Sequence, residues 1–187
     1  RSVTVRFGVD DDGDFEIGYS ATTNAPTFVS LTNHTYFSLA GRGNILSHHL
    51  CLHADSYTPV DGEQIPTGEL LPVAGTELDF RQMRPVTSDY DNNFVLNKKG
   101  PAAELYEETS GRLLRVWTDL PGLQLYCGQH IPEGEKGKNS AVYGPNSGLC
   151  LETQFFPDSP HQPEFPATLL MPDGWYEHKT VWAFSTE

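Results

Sequence analysis

An imidazole, a carboxylate and a set of side chains suited to gripping hydroxyls can be picked out of this 187-residue sequence. In GLCLETQFFPD (148–158) a carboxylate and an amide stand at i and i+2 of an apolar run. In a strand that spacing puts Glu152 and Gln154 on one side. A carboxylate on an otherwise buried strand is costly unless it is paired or used, which makes Glu152 the best candidate for a functional carboxylate. The plainer alternative is an edge-strand Glu facing solvent. NHTYFSLAG (33–41) gathers an amide, an imidazole and two aromatics just after a predicted strand, a combination that can bind a polar ligand while excluding water. Its imidazole, His34, is a candidate functional side chain, and the alternative is a structural histidine satisfied in a turn.

Two further segments, YDNNF (90–94) and PGLQLY (121–126), set Asp91 and Gln124 beside aromatic rings. Carboxylates and amides form paired hydrogen bonds to vicinal hydroxyls, while rings cover the apolar face of a sugar. An Asx-turn for Asp91 and a strand-surface amide for Gln124 remain open at this point.

Other chemistries find little support. Seven histidines invite a metal, but His48 and His49 are adjacent and point opposite ways in a strand, and His53, His130, His161 and His178 show no ligand spacing. Neither a metal nor another cofactor is expected. There is no H-E-x-x-H, no G-x-S-x-G, no phosphate-binding glycine loop and no dinucleotide fingerprint. The acidic run Asp10-Asp11-Asp12 lacks the twelve-position calcium pattern and reads better as a turn. Asn33-His34-Thr35 is formally a glycosylation sequon, a tripeptide common by chance.

These side chains must be positioned by strands. Seventeen Gly and fourteen Pro are scattered along the chain, leaving little room for long helices, and no stretch keeps a helical apolar period over three turns. Val3, Val5, Phe7 and Val9 alternate with polar residues, then DDDGD, then Phe15, Ile17 and Tyr19 on one face: a hairpin with a solvated tip. Further strands are expected at 27–32, 49–54, 69–74, 93–97, 103–108, 112–118, 123–127, 148–154 and 175–185. In the last, Tyr176, His178, Thr180, Trp182 and Phe184 share a face. So many short antiparallel strands make the fold class all-β, a sandwich or barrel.

Twelve Lys and Arg against 25 Asp and Glu give a net charge of −13, a field that repels phosphate and argues against nucleic-acid and anionic-membrane partners. No apolar run reaches the roughly 18 to 20 residues of a membrane span. Cys51, Cys127 and Cys150 lie far apart, with neither metal-ribbon spacing nor an even count for a disulfide framework, so a reducing, cytoplasmic compartment is expected. The chain opens on Arg1 and enters a strand almost at once, which suggests a piece of a larger protein.

Taken in order, LTNHTYFSLAG, YTPVDGEQIPTGEL, GTELDFR, YDNNFVL, SGRLLRVWTDLPGLQLYCG, GLCLETQFFPD and FPATLLMPDGWYEHKTVWAFS resemble the aldose 1-epimerase (galactose mutarotase) family. The likeness runs through essentially all 187 residues yet covers only the C-terminal part of the family's usual length. It implies an antiparallel β-sandwich of the galactose mutarotase type, with residues 1–187 as the C-terminal part of a single such domain and the N-terminal part absent. It also implies interconversion of the α and β anomers of free aldohexoses, glucose and galactose, with His34 as general acid, Glu152 as general base, and Asp91 and Gln124 holding sugar hydroxyls. No cofactor is implied, and a separate N-terminal chain becomes a candidate partner. The sequence departs from the family pattern at Asn92, where a His is usual, and at Ser38, where an Asn is usual. Two other readings are a non-catalytic carbohydrate-binding module of the same fold and a hexose-phosphate mutarotase; the −13 charge weighs against the second.

Overall fold

The computed structural model describes residues 1–87 and 89–187. In chain order the strands are β1 (Ser2–Val9), β2 (Phe15–Thr22), β3 (Thr27–Phe28), β4 (Tyr36–Phe37), β5 (His48–Leu52), β6 (Ala54–Thr58), β7 (Leu71–Pro72), β8 (Arg84–Pro85) and β9 (Asp91–Leu96). They continue with β10 (Ala103–Glu107), β11 (Arg112–Thr118), β12 (Gly122–Tyr126), β13 (Glu135–Lys136), β14 (Val142–Tyr143), β15 (Leu149–Gln154), β16 (Leu169–Leu170) and β17 (Tyr176–Thr186). Among the described residues, helical structure is confined to three-residue 3₁₀ turns, and no helix is long and apolar enough to cross a membrane.

Seven strands form one antiparallel sheet in the order β1-β2-β17-β11-β10-β5-β8, and six form a second in the order β4-β15-β12-β9-β6-β7. Alternation then decides the core. Ile17, Leu50, Leu105, Leu114 and Val116 of the first sheet meet Phe94, Leu123, Leu125, Leu149 and Leu151 of the second in one buried cluster. The residues between them point outward, so each sheet has an inner apolar face and an outer face free for other work.

The sheets are also joined by a chain of hydroxyls. Thr153 on β15 and Thr180 on β17, both buried, lie 2.5 Å apart, and Thr180 is 3.1 Å from Thr118 on β11. Thr118 donates to the carbonyl of Lys179 at 3.0 Å, which sets the direction: Thr153 donates to Thr180, and Thr180 to Thr118. Every hydroxyl proton has an acceptor, and the residue next to Glu152 is tethered across the sandwich.

The expected hairpin forms with β1 against β2, and its acidic tip is a turn: the Asp10 carboxylate accepts the backbone N–H groups of Asp12 and Asp14 at 3.0 and 2.9 Å. The expected strand at 27–32 shrinks to Thr27–Phe28 and that at 69–74 to Leu71–Pro72. The 49–54 run is two strands, β5 and β6, because the chain turns at His53 and passes to the other sheet. In β1 the apolar row Val3, Val5, Phe7 and Val9 is 43–67% exposed. Val5 and Phe7 pair with the core residues Tyr19 and Ile17, so this row prolongs the inner face past the edge of the second sheet.

Thr180→Val should cost about 1–3 kcal/mol in equilibrium denaturation, because it strands the buried Thr153 hydroxyl without an acceptor. Adding Thr153→Val should recover part of the loss. A Thr180→Val protein as stable as the parent would show that the hydroxyl chain does not hold the sheets together.

Candidate functional site

The outer face of the six-stranded sheet is where the polar side chains gather. Strand β12 runs down its middle, and the pairing sets Gln124 opposite Glu152 on β15 and opposite Asn93 on β9. One step along, Tyr126 stands opposite Cys150 and Asp91, and Cys150 opposite Tyr36 on β4. Residues from four strands thus form two adjacent rows on one face.

Glu152 sits on β15 among residues that are nearly all buried. Among the described residues its carboxylate meets one charge partner, with Oε1 3.4 Å from Nε2 of His34. Burial pushes the Glu152 carboxyl above the usual carboxylate value of 4.5; the His34 ring pulls it back and Asp91 adds to the rise. His34 is half exposed and lies in the loop before β4, where Asn33 Oδ1 accepts the N–H of Thr35 at 3.0 Å and shapes the backbone around it. The imidazole is 5.0 Å from the Tyr36 ring and 5.7 Å from that of Tyr126, centroid to centroid. Its Nδ1 lies 3.3 Å from the Cys150 thiol, which burial raises far above its ordinary pKa and so keeps protonated. The carboxylate at Nε2 requires a proton there, leaving Nδ1 to accept the S–H of Cys150. The two neighbours fix one tautomer with Nε2–H aimed at Glu152.

The loop that carries His34 is held from its far side. Leu39, just beyond β4, donates its N–H to His48 Nε2 at 2.8 Å, and its carbonyl accepts Arg112 Nη1 at 2.6 Å. Burial lowers the His48 pKa, so this imidazole stays neutral and able to accept. His48 is a core histidine whose work is to anchor the His34–Tyr36 segment to the other sheet.

Asp91 and Gln124 also meet: Gln124 Nε2 donates to Asp91 Oδ1 at 2.7 Å. Gln154 Nε2 reaches Asn93 Oδ1 at 3.2 Å and Gln124 Oε1 at 3.4 Å, and Asn93 Nδ2 donates to Thr58 Oγ1 at 3.2 Å. Gln154 crosses over Gly122 to do so. A Cβ at that glycine would lie 2.8 Å from Asn93 Oδ1 and 2.9 Å from the Phe156 ring. Thr58, Asp91, Asn93 and Gln124 line a hollow of about 90 Å³, well below the ~300–1,000 Å³ of a typical ligand cavity, so a sugar-sized ligand here would lie across an open face.

The chain was then compared with known proteins. Residues 2–183 match the family model for aldose 1-epimerase. The chain belongs to the aldose 1-epimerase family. It is 46% identical to galactose mutarotase of Mus musculus over 190 residues, covering 94% of this chain and 55% of that protein. It is 36% identical to aldose 1-epimerase of Escherichia coli (strain K12), covering 98% and 58%. Among solved structures, the GalM/aldose epimerase homologue from C. elegans superposes with a TM-score of 0.91 at 31% identity, over 97% of this chain and 59% of that one. Galactose 1-epimerase from Lactobacillus acidophilus gives 0.84 at 27% identity. The chain therefore spans little more than half the length of the relatives it matches, and its all-β antiparallel sandwich is that of the aldose 1-epimerases.

Within this chain, all four residues singled out from the sequence lie on one face, in two contacting pairs. A sugar-sized gap between His34 and Glu152 is the natural expectation for an acid and a base that flank one ring, and it is not found: they touch. Asp91 forms no Asx-turn but begins a strand, and Gln124 is bonded at both ends of its amide. Sequence reading passes over Thr58 and Cys150 and takes Asn93 and Tyr126 only as neighbours of Asp91 and Gln124. The signal for Asn93, Cys150 and Tyr126 was their i±2 spacing from Asp91, Glu152 and Gln124, the same spacing that draws attention to Gln154.

Because burial disfavours ionised Glu152, the folded chain should be less stable than its Glu152→Gln variant near neutral pH. The gap should close as pH falls below 4.5, where Glu152 is protonated whether folded or not, and open as pH rises through the elevated folded value. Denaturation midpoints of the two proteins across that range test this. A Gln variant less stable than the parent at pH 7 would mean that the carboxylate is a net stabiliser.

Proposed function

We propose that the protein to which this chain belongs is an aldose 1-epimerase acting on free aldohexoses, galactose and glucose, with Glu152 as general base and His34 as general acid. The observation that carries this reading is the 3.4 Å contact between His34 Nε2–H and the Glu152 carboxylate, beside a row of amides suited to sugar hydroxyls. In the reaction Glu152 takes the proton of the C1 hydroxyl while His34, entering the step as the imidazolium with Nδ1–H turned to the Cys150 sulfur, gives its Nε2 proton to the ring oxygen and is left neutral. The bond from C1 to the ring oxygen breaks, and C1 becomes the carbonyl carbon of an open aldehyde. Rotation about C1–C2 presents the other carbonyl face, and reclosure returns both protons. Electrons and protons balance within the sugar and these two side chains.

The direct contact has a consequence for binding. The sugar must exchange one bond, His34 to Glu152, for two, His34 to the ring oxygen and Glu152 to O1. The half-exposed His34 is the partner free to yield, since Glu152 is fixed on a buried strand. Asp91 and Gln124 would exchange their mutual bond for bonds to vicinal hydroxyls in the same way.

The polar face described above is an open one, and the apolar row of β1 has no second layer over it. Both features support reading residues 1–187 as the C-terminal part of a single mutarotase domain that an N-terminal chain completes. Three free thiols suit the reducing cytoplasm as its compartment.

Polarimetry on freshly dissolved α-galactose and α-glucose with the full-length protein tests the reading. Glu152→Gln should lower kcat by ~10²- to 10⁴-fold while galactose binding survives. Undiminished turnover would remove Glu152 from the mechanism. The acidic limb of kcat/KM should fall above pH 4.5, because it reports a carboxyl raised by burial; a limb below that value would place the base elsewhere. The isolated 187-residue chain should be weakly active and associate through β1, and adding the N-terminal segment should restore turnover. Full activity from a monomer of this chain would overturn the completion proposal.

A further inference from the structure

On the outer face of the seven-stranded sheet, away from the face that carries Glu152, three side chains converge that the proposed reaction does not use. Cys51 on β5 stands directly opposite Glu104 on β10, and His53 follows Cys51 by two residues. Cys51 Sγ is 3.9 Å from His53 Nε2, and that same nitrogen is 3.3 Å from Glu104 Oε1. We propose that Cys51, His53 and Glu104 form a binding site for a zinc-type divalent cation, with the fourth position open to water.

The distances suit that ion. A tetrahedral zinc holds sulfur at ~2.3 Å and nitrogen or oxygen at ~2.0 Å, which places ligand S and N atoms ~3.6 Å apart and N and O atoms ~3.3 Å apart. The cluster has nearly these spacings before any ion enters. Thiolate, imidazole and carboxylate together are also the mixed donor set that zinc favours.

The site is braced as a metal site should be. The backbone of His53 is pinned on both sides, its N–H to the Ala102 carbonyl at 3.0 Å and its own carbonyl accepting Asn97 N–H at 2.8 Å. Arg115, on the strand beyond Glu104, binds Oε2 at 3.0 Å and leaves Oε1 turned toward His53. Such partners orient a ligand without occupying it. His53 and Glu104 are each partly open to solvent, which gives an ion a path in, while Cys51 is nearly buried. Burial and the nearby Glu104 hold the Cys51 thiol above its ordinary pKa, so the ion would displace one proton as the thiolate forms. Its two positive charges are then matched by thiolate and carboxylate.

His34, Cys150 and Glu152 also lie within reach of one another, but there the two neighbours face opposite nitrogens of the ring. One ion cannot sit at both Nδ1 and Nε2. At His53 a single nitrogen faces both partners: without an ion it donates to Glu104, and once that proton moves to Nδ1 the lone pair it exposes points into the space between them.

Cobalt(II), whose thiolate complexes absorb, reports on the site directly. Titration of the chain should give a near-ultraviolet sulfur-to-cobalt charge-transfer band that saturates at one ion per chain and is displaced by Zn²⁺. Cys51→Ser should abolish the band, and the milder His53→Gln, at a part-exposed position, should weaken binding at least ~10-fold. Cys150→Ser should retain it. No band with the parent chain, a band that survives Cys51→Ser, or one lost in Cys150→Ser would overturn the proposal. Because the readout is absorbance, it stands or falls apart from mutarotation.

Discussion

Holding a carboxylate on β15, a strand buried over nearly its whole length, is the constraint around which the rest of the structure is arranged. Desolvating a charge is unfavourable by several kcal/mol unless neighbours compensate. Here the compensation is incomplete: His34 supplies one polar contact, Asp91 adds repulsion, and the carboxyl rests above its usual pKa. A carboxylate of this kind is held in a state that binds a proton more readily than it would in water. The cost is met elsewhere, in the apolar inner face of the same strand, where Leu149 and Leu151 are packed into the core.

Strand pairing turns that local burden into a site. Antiparallel register is fixed once the inner face is apolar, because a one-residue slip would turn Leu123 and Leu125 outward and drive Gln124 into the core. With the register fixed, Glu152, Gln124 and Asn93 must form a row, though they come from strands distant in sequence. The Thr153–Thr180–Thr118 chain and the clasp of His48 and Arg112 on Leu39 act between the sheets. They tie the strand that carries Glu152 and the His34 loop to the opposite layer, so the outer face inherits its rigidity from the core beneath it.

The two histidine clusters show how one set of residue types can do different work. Cys150, His34 and Glu152 repeat the chemistry of Cys51, His53 and Glu104, and in both the ring lies between a thiol and a carboxylate. In the first the ring bridges its neighbours through separate nitrogens, which fixes a tautomer and directs a proton. In the second both neighbours converge on one nitrogen, which suits a cation. Composition alone does not separate these cases; the direction of a lone pair does.

The sequence by itself determined the all-β class, the hairpin at the N-terminal end, the long strands β10, β11, β12, β15 and β17 to within about a residue, and Glu152, His34, Asp91 and Gln124 as side chains worth attention. It did so because those strands repeat their inside–outside pattern often enough to be read, whereas β6, also five residues, is broken by a register shift at Ala54–Ser56, and because a carboxylate in an apolar run stands out against such a pattern. The two-residue strands β3, β4, β7 and β8 carry no such repeat, so only pairing with a neighbour defined them. Tertiary structure alone decided that His34 and Glu152 touch, that His48 is an anchor, and that Cys51 and His53 meet Glu104. Each of these contacts joins side chains across strands or from loop to sheet, at separations set by register and by the packing of one sheet on the other, and neither quantity is written in the local spacing of residues.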